Sequence, residues 1–452
     1  RPFIVILHRE KELKLLKKQM NIRIYILVYL IIVIQIIQAQ EEFNLRQLID
    51  RALIENYQVR IVNEREQIAD NNNTLGNAGF LPKVTLDGEQ SFSTEDSRSE
   101  YYNDQSRSGS SLNAMFNVDW VVFDGLKMFA RKDRLEYLHK TSQLDTRYYL
   151  EQTISDIFRI YYNILKENQS LDNFKQSLEI SDFRLQLEKR KQEIGTGNTL
   201  LYNQALVDYH SDSSRIVNQV MIIKNLYTRL NQILNLPPET KILVQEVSRL
   251  KYQLPGKDSL VTAAISSNIE LRQAQVAELI AETNRRIEAG DRYPEVSIFG
   301  NYFFSRSSGE QELIESQGSF GPQYGVSVRF KLYDGGKESL QLRNAEIEEN
   351  ISSLDKERIS LNILTTLLER WNQHQSFMQQ LELSRQSMSA AEKSLSIARQ
   401  QLEAGAINGY DFRLTQRSYL QVKSRVVEMN YLIKEAEIDL LRISGNLMNE
   451  VW

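Results

Sequence analysis

The stretch Tyr324-Gly-Val-Ser-Val-Arg-Phe-Lys-Leu-Tyr-Asp-Gly-Gly-Lys337 holds two kinds of pattern side by side. Tyr324, Val326, Val328, Phe330 and Leu332 share one parity, and Gly325, Ser327, Arg329 and Lys331 the other. That alternation belongs to a strand with one dry and one wet face. Asp334, Gly335 and Gly336 supply a turn, and from Lys337 onward no glycine occurs before Gly405. A strand is therefore joined directly to a very long helix.

The same arrangement occurs upstream. Leu112, Ala114, Phe116, Val118, Trp120 and Val122 alternate with Asn113, Met115, Asn117, Asp119 and Val121, and Phe123-Asp124-Gly125 leads into a helical run. A third landmark keeps register, since Glu193-x-Gly195-x-x-Asn198 matches Glu403-x-Gly405-x-x-Asn408. Ordered landmarks of this kind mark an internal duplication. The first repeat reads as 40–236, a connector as 237–257 and the second repeat as 258–452.

Composition narrows the function. The 452 residues include only 7 prolines and 19 glycines, which favours long uninterrupted elements. With no cysteine there is no disulfide framework and no thiolate metal site. His8, His139, His210 and His374 show no ligand spacing, and no nucleophile and base pair emerges, so neither enzyme activity nor a cofactor is expected. Residues 1–39 carry 7 of the 55 Lys and Arg and 2 of the 59 Asp and Glu, leaving an acidic body that offers no case for nucleic acid.

The leader, 1–39, reads as basic residues 1–19 followed by a secretory signal peptide from Met20: a short charged region, an apolar run from Ile24 to Ile37, and cleavage after Ala39. No later stretch is apolar enough for a spanning helix. From Leu126 to Glu193 there is neither proline nor glycine; as one helix this run would extend about 100 Å. Ile154, Ile157, Phe158, Tyr161 and Leu165 lie on one face of it, and Val220, Ile223, Tyr227, Leu230 and Leu234 on one face of the returning helix. Further helices are expected at 43–78 and 259–289. Strands are expected at 82–93, 111–123, 294–305 and 324–333, with polar loops at 94–110 and 306–323.

The fold class is thus mainly α with a membrane β-barrel contribution, a duplicated unit of long antiparallel helices plus a two-stranded hairpin. Four strands cannot close a barrel, and an open edge in lipid is costly. Two copies would give eight strands and three would give twelve. A structural coiled-coil protein of the cell surface or periplasm is the alternative, although it has no use for two lipid-compatible hairpins.

These residues resemble the TolC-like outer membrane efflux family. The resemblance rests on Leu81-Pro82 and Tyr293-Pro294 before the first strands, and on Val122-Phe123-Asp124-Gly125 and Leu332-Tyr333-Asp334-Gly335-Gly336 after the second. The helical tips Gly195-Thr196-Gly197-Asn198-Thr199 and Gly405-Ala-Ile-Asn408-Gly409 add to it. It implies a homotrimer in outer membrane lipid, forming a twelve-stranded barrel continuous with a twelve-helix periplasmic tunnel. It also implies a passive exit duct for efflux or type I secretion, supplied by an inner-membrane transporter through a periplasmic adaptor. In this family an aspartate lies six positions after the second tip glycine. Asp411 matches it, and Leu414 stands where a further family aspartate would be. Asp411 would form a charged ring at the periplasmic aperture. Thr199, Asn203, Gln204, Arg413 and Gln416 would hold that mouth closed by hydrogen bonds or meet the adaptor, together with the tip residues, the simpler reading being a solvated helix surface. The simpler reading of Asp411 is a carboxylate favoured by the dipole of the returning helix.

Overall fold

The computed structural model describes residues 41–99, 102–245, 254–309 and 316–448. The expected leader and part of the expected connector lie outside them. The elements run β1 (Glu41–Phe43), α1 (Leu45–Glu55), α2 (Tyr57–Asn72), α3 (Leu75–Ala78), β2 (Lys83–Ser99), β3 (Tyr102–Phe123), α4 (Lys127–Glu193) and α5 (Thr199–Ile233). They continue with β4 (Ile242–Val244), α6 (Lys257–Ser267), α7 (Ile269–Gly290), β5 (Glu295–Gly309), β6 (Ser316–Arg329), α8 (Lys337–Glu403) and α9 (Gly409–Ile443). The fold is mainly helical, and no helix among the described residues is long and apolar enough to cross a membrane.

The helices expected at 43–78 and 259–289 are each interrupted by an asparagine. Asn56 and Asn268 have nearly the same extended backbone, φ −62°, ψ 127° and φ −60°, ψ 130°. Asn56 Oδ1 accepts from the Gln58 and Val59 amides, and Asn268 Oδ1 from the Leu271 amide. An asparagine side chain satisfies the orphan donors of a new helix start, so one helix stops and another begins at each of these positions.

The strands extend beyond the alternating segments. β2 reaches Ser99, β3 starts at Tyr102 and β5 reaches Gly309, so much of the polar 94–110 and 306–323 segments is strand, not loop. β6 begins at Ser316 and stops at Arg329, leaving Phe330, Leu332 and Tyr333 outside it. Alternation marks where one face is dry; an antiparallel ladder can continue where both faces are wet. The sheet order is β2-β3-β5-β6, antiparallel throughout. Val84 pairs with Val118 and Val296 with Val328, so the two hairpins share one register, and Val118 pairs with Gly300 across the repeat boundary. The even residues make one apolar face, on which Leu86, Tyr324, Val326 and Val328 are 78%, 84%, 66% and 65% exposed. β2 and β6 are free edges of this sheet.

Each strand-to-helix turn is capped by its aspartate. Asp124 accepts from the Met128 amide at 3.1 Å, and Asp334 from the Glu338 amide at 3.0 Å. Gly125 has φ +72°, and a Cβ there would lie 2.1 Å from the Gly290 carbonyl oxygen. The first turn is thus pressed against the end of α7, and Lys127 pairs with Asp291 at 2.6 Å. The following residue also has positive φ in both repeats, Leu126 at +67° and Gly336 at +84°. The second turn is open, with Leu332 and Tyr333 87% and 88% exposed.

The chain forms two compact units. One combines 157–250 with 397–420 and the N-terminal residues through Ala52; the other combines 53–156, 251–396 and the C-terminal segment from Gln421. In the second, Leu260, Ala264, Leu271, Ile363, Leu367 and Leu440 form one dry cluster, and Leu381, Met429 and Ile433 another. In the first, Ile157, Phe158, Tyr161 and Ile164 of α4, Ile223, Leu226 and Leu230 of α5, and Leu234 just past its end are buried. Ile164 and Leu226 occupy the seam where Leu165 and Tyr227 were expected. Gln219, which donates to the Glu167 carbonyl at 2.9 Å, is buried beside the exposed Val220.

Candidate functional site at the helical tips

Both tips are built by the same local chemistry. Gly195 and Gly405 end α4 and α8 at φ +76° and +74°, left-handed values that a side chain would strain. The Thr196 amide reaches the Lys191 carbonyl at 2.9 Å and the Ala406 amide reaches that of Gln401 at 2.8 Å. These bonds close Schellman motifs. Asn198 then caps α5 through the Leu200 amide, and Asn408 caps α9 through the Tyr410 and Asp411 amides. The repeated Glu-x-Gly-x-x-Asn spacing is therefore a helix stop followed by a helix start. Gly197 packs against the backbone of Gln192, and Gly409 lets the Arg184 guanidinium approach, with Nε 3.2 Å from where a Cβ would sit.

Behind the tips lies a buried polar seam. Along α4 the hydrophobic stripe gives way to Asn173, Ser177, Ser181, Arg184 and Glu188, all at most 4% exposed. Arg413 of α9, 6% exposed, inserts between α4 and α5. Its Nη1 and Nη2 donate to the two Asp212 carboxylate oxygens at 2.8 and 3.0 Å, a bidentate pair. Nη1 also donates to Ser181 Oγ at 3.1 Å and Gln416 Oε1 at 2.9 Å. Ser177 and Ser181 donate to Asp212, and Gln416 Nε2 donates to the Ser177 carbonyl at 3.1 Å. Asp208 lies between two cations, 2.7 Å from Arg184 and 3.3 Å from Arg413.

Burial alone would raise the Asp212 pKa. Hydrogen bonds from Arg413, Ser181 and Ser177, with the Arg413 charge, outweigh it and hold the carboxyl below its ordinary value.

Arg413 and Gln416 thus tie the second hairpin to the first within one chain. Thr199, Asn203, Gln204 and Asp411 are exposed and stand outside that network. Asn203 and Gln204 instead line a cleft of about 350 Å³ with Val207, Tyr410, Leu414 and Arg417, floored by Arg184, Asp208 and Arg413. The partners Asp212, Asp208, Ser177, Ser181 and Arg184 were not singled out from sequence. Their signal is a buried heptad seam that continues after its residues turn polar. Among the described residues no group of His, Asp and Glu has metal-site geometry.

The outer membrane efflux protein model matches residues 48–236 and 260–446, one match for each repeat. The chain is 21% identical over 419 residues to the cation efflux system protein CusC of Escherichia coli strain K12, covering 89% of this chain and 86% of CusC. It is 21% identical over 315 residues to the outer membrane protein TolC of Vibrio cholerae, covering 67% and 68%. The crystal structure of the Campylobacter jejuni CmeC outer membrane channel superposes with a TM-score of 0.75 at 14% identity, covering 89% of this chain and 86% of that one. The family model covers both repeats, and this chain belongs to the outer membrane efflux protein family.

Proposed function

We propose that three copies assemble into the exit duct of a tripartite efflux or type I secretion system. The observation that carries this reading is the sheet β2-β3-β5-β6, with an apolar even face and two unpaired edges. Closure needs β6 of one copy to pair with β2 of the next, because an edge in lipid leaves donors and acceptors unsatisfied. The duplication supplies the geometry: β3 already pairs with β5, and β6 and β2 are their repeat counterparts. Leu112 to Val122 spans about 34 Å along the strand, or about 26 Å of membrane normal at a barrel tilt of roughly 40°. The open turn at Asp334–Gly336 would then meet the α3 end of the neighbouring copy, as Gly125 meets the end of α7.

In this reading α4, α5, α8 and α9 of three copies form the twelve-helix tunnel. The Gly195–Thr199 and Gly405–Gly409 tips face the periplasmic adaptor, and the inner-membrane transporter supplies the energy. The duct performs no chemistry. Asp411, in the first turn of α9 with its carboxylate exposed, contributes to a ring of three at the mouth, where like charges favour cation entry. The deciding experiment is the mass of the detergent-extracted particle from isolated outer membranes. Three protomers, with D411N reducing cation selectivity in planar bilayers, support the assignment. A monomer overturns it.

A further inference from the structure

The odd face of the sheet, which the proposed duct turns inward, is almost wholly polar. Between Lys83 and Ser93 on β2, and between Gln317 and Arg329 on β6, every odd residue is polar or glycine. Away from the strand ends, Met115, Phe299 and Phe303 depart from this rule, and they are grouped. Met115 and Phe303 are direct cross-strand partners, and Phe299 lies four residues along β5, about 13 Å away. The Phe299 ring lies across Gly325, where an added Cβ would be 2.9 Å from Cζ. Gly321, the partner of Phe303, has open space above it.

Carboxylates stand beside the rings. Asp119 is the cross-strand partner of Phe299, and Asp87 that of Met115. The Asp87 carboxylate is held by Asn117 Nδ2 at 2.7 Å and Thr85 Oγ1 at 3.1 Å. Glu89 adds a negative charge to the same face, and Lys83, opposite Asp119, is the positive charge of β2 there. Aromatic faces next to fixed negative charge attract cations that also carry apolar surface. Met115 is exposed and Phe299 and Phe303 are half-exposed, so all three keep apolar surface open on this otherwise polar face.

Resting on the duct reading, we infer that Phe299, Phe303 and Met115, with Asp87 and Asp119, form a binding patch on the barrel wall for aromatic or apolar organic cations. Three such patches would ring the lumen, so that this class of cargo is retained briefly on its way out while small inorganic ions pass.

The test is block of potassium current by tetraphenylphosphonium in planar bilayers holding the purified channel. Half-block should need about tenfold more tetraphenylphosphonium in the Phe299→Ser, Phe303→Ser double variant, while Phe299→Tyr, which keeps a ring over Gly325, should stay within about twofold of wild type. Tetraphenylborate, of the same shape and opposite charge, should block far more weakly. Equal block of wild type and the double variant by tetraphenylphosphonium, or equal block of wild type by the two ions, would overturn the patch. A wild-type protein that forms no conducting pore would overturn instead the duct reading beneath it.

Discussion

The proposed closure of the barrel between copies fixes a residue pairing that a crosslink can read. Within the chain Val118 is opposite Gly300. Repeat-equivalent positions, set by the shared Val84–Val118 and Val296–Val328 register, place Val328 of one copy opposite Gly88 of the next. Directly opposed Cα atoms lie about 4.5–5.5 Å apart, inside the roughly 4.4–6.8 Å that a disulfide spans. A two-residue slip moves the partners to about 7–8 Å, and a one-residue slip turns the side chains to opposite faces. The chain has no cysteine, and an added Cβ at Gly88 meets nothing within 4 Å. The Gly88→Cys, Val328→Cys variant should therefore give covalent dimer and trimer on oxidation, read as a ladder on non-reducing denaturing gels of outer membranes. Glu89→Cys with Val328→Cys should give none. Absence of the Gly88–Val328 product in protein that has reached the outer membrane would refute the closure, and bands beyond trimer would refute the copy number.

Replacing Arg413 by leucine leaves Asp212 buried without its bidentate partner and should destabilise the tip by about 3–5 kcal/mol, with the Arg413→Leu, Asp212→Leu double variant regaining much of it in thermal unfolding. Because the folded-state pKa of Asp212 is depressed, its contribution is complete above its unfolded value and lost as pH falls through the folded one. Protease sensitivity at the tips should accordingly rise only below about pH 4. On the apolar parity, which the proposed barrel turns toward lipid, Val328→Arg should cost about 2–4 kcal/mol and reduce outer membrane assembly, whereas Ser327→Arg should assemble near wild-type levels in cell fractionation. Leu126 holds a left-handed backbone where the second repeat has Gly336, so Leu126→Gly should raise stability by about 1 kcal/mol, measured by thermal melting.

The architecture was legible because it rests on periodicities. Alternation exposed the apolar strand parity, glycine-free runs exposed α4 and α8, and the duplicated Asp-Gly turns gave the order. Interruptions were less visible. At Asn56 and Asn268 the apolar stripe continues across the break, and only the backbone shows that the helix has stopped. Strand ends escaped for the opposite reason, since a ladder wet on both faces has no hydrophobic period. At the tips, Gly195, Asn198, Gly405 and Asn408 could be read because turn chemistry is local. Arg413 was visible as a charge, but its partner Asp212 lies 201 residues away in sequence, on another helix, and nothing in spacing alone joins them.

The two free sheet edges also bear on inheritance. A ring closed head to tail needs every copy to present both a sound β2 and a sound β6, so one faulty edge interrupts the whole circle. A copy whose β6 is broken, but whose β2 still pairs, would occupy a place and spoil its neighbours. In the proposed trimer, at equal expression with wild type, only about one ring in eight would be free of it. Edge lesions in this chain should therefore behave as dominant, whereas lesions that prevent folding altogether should be recessive.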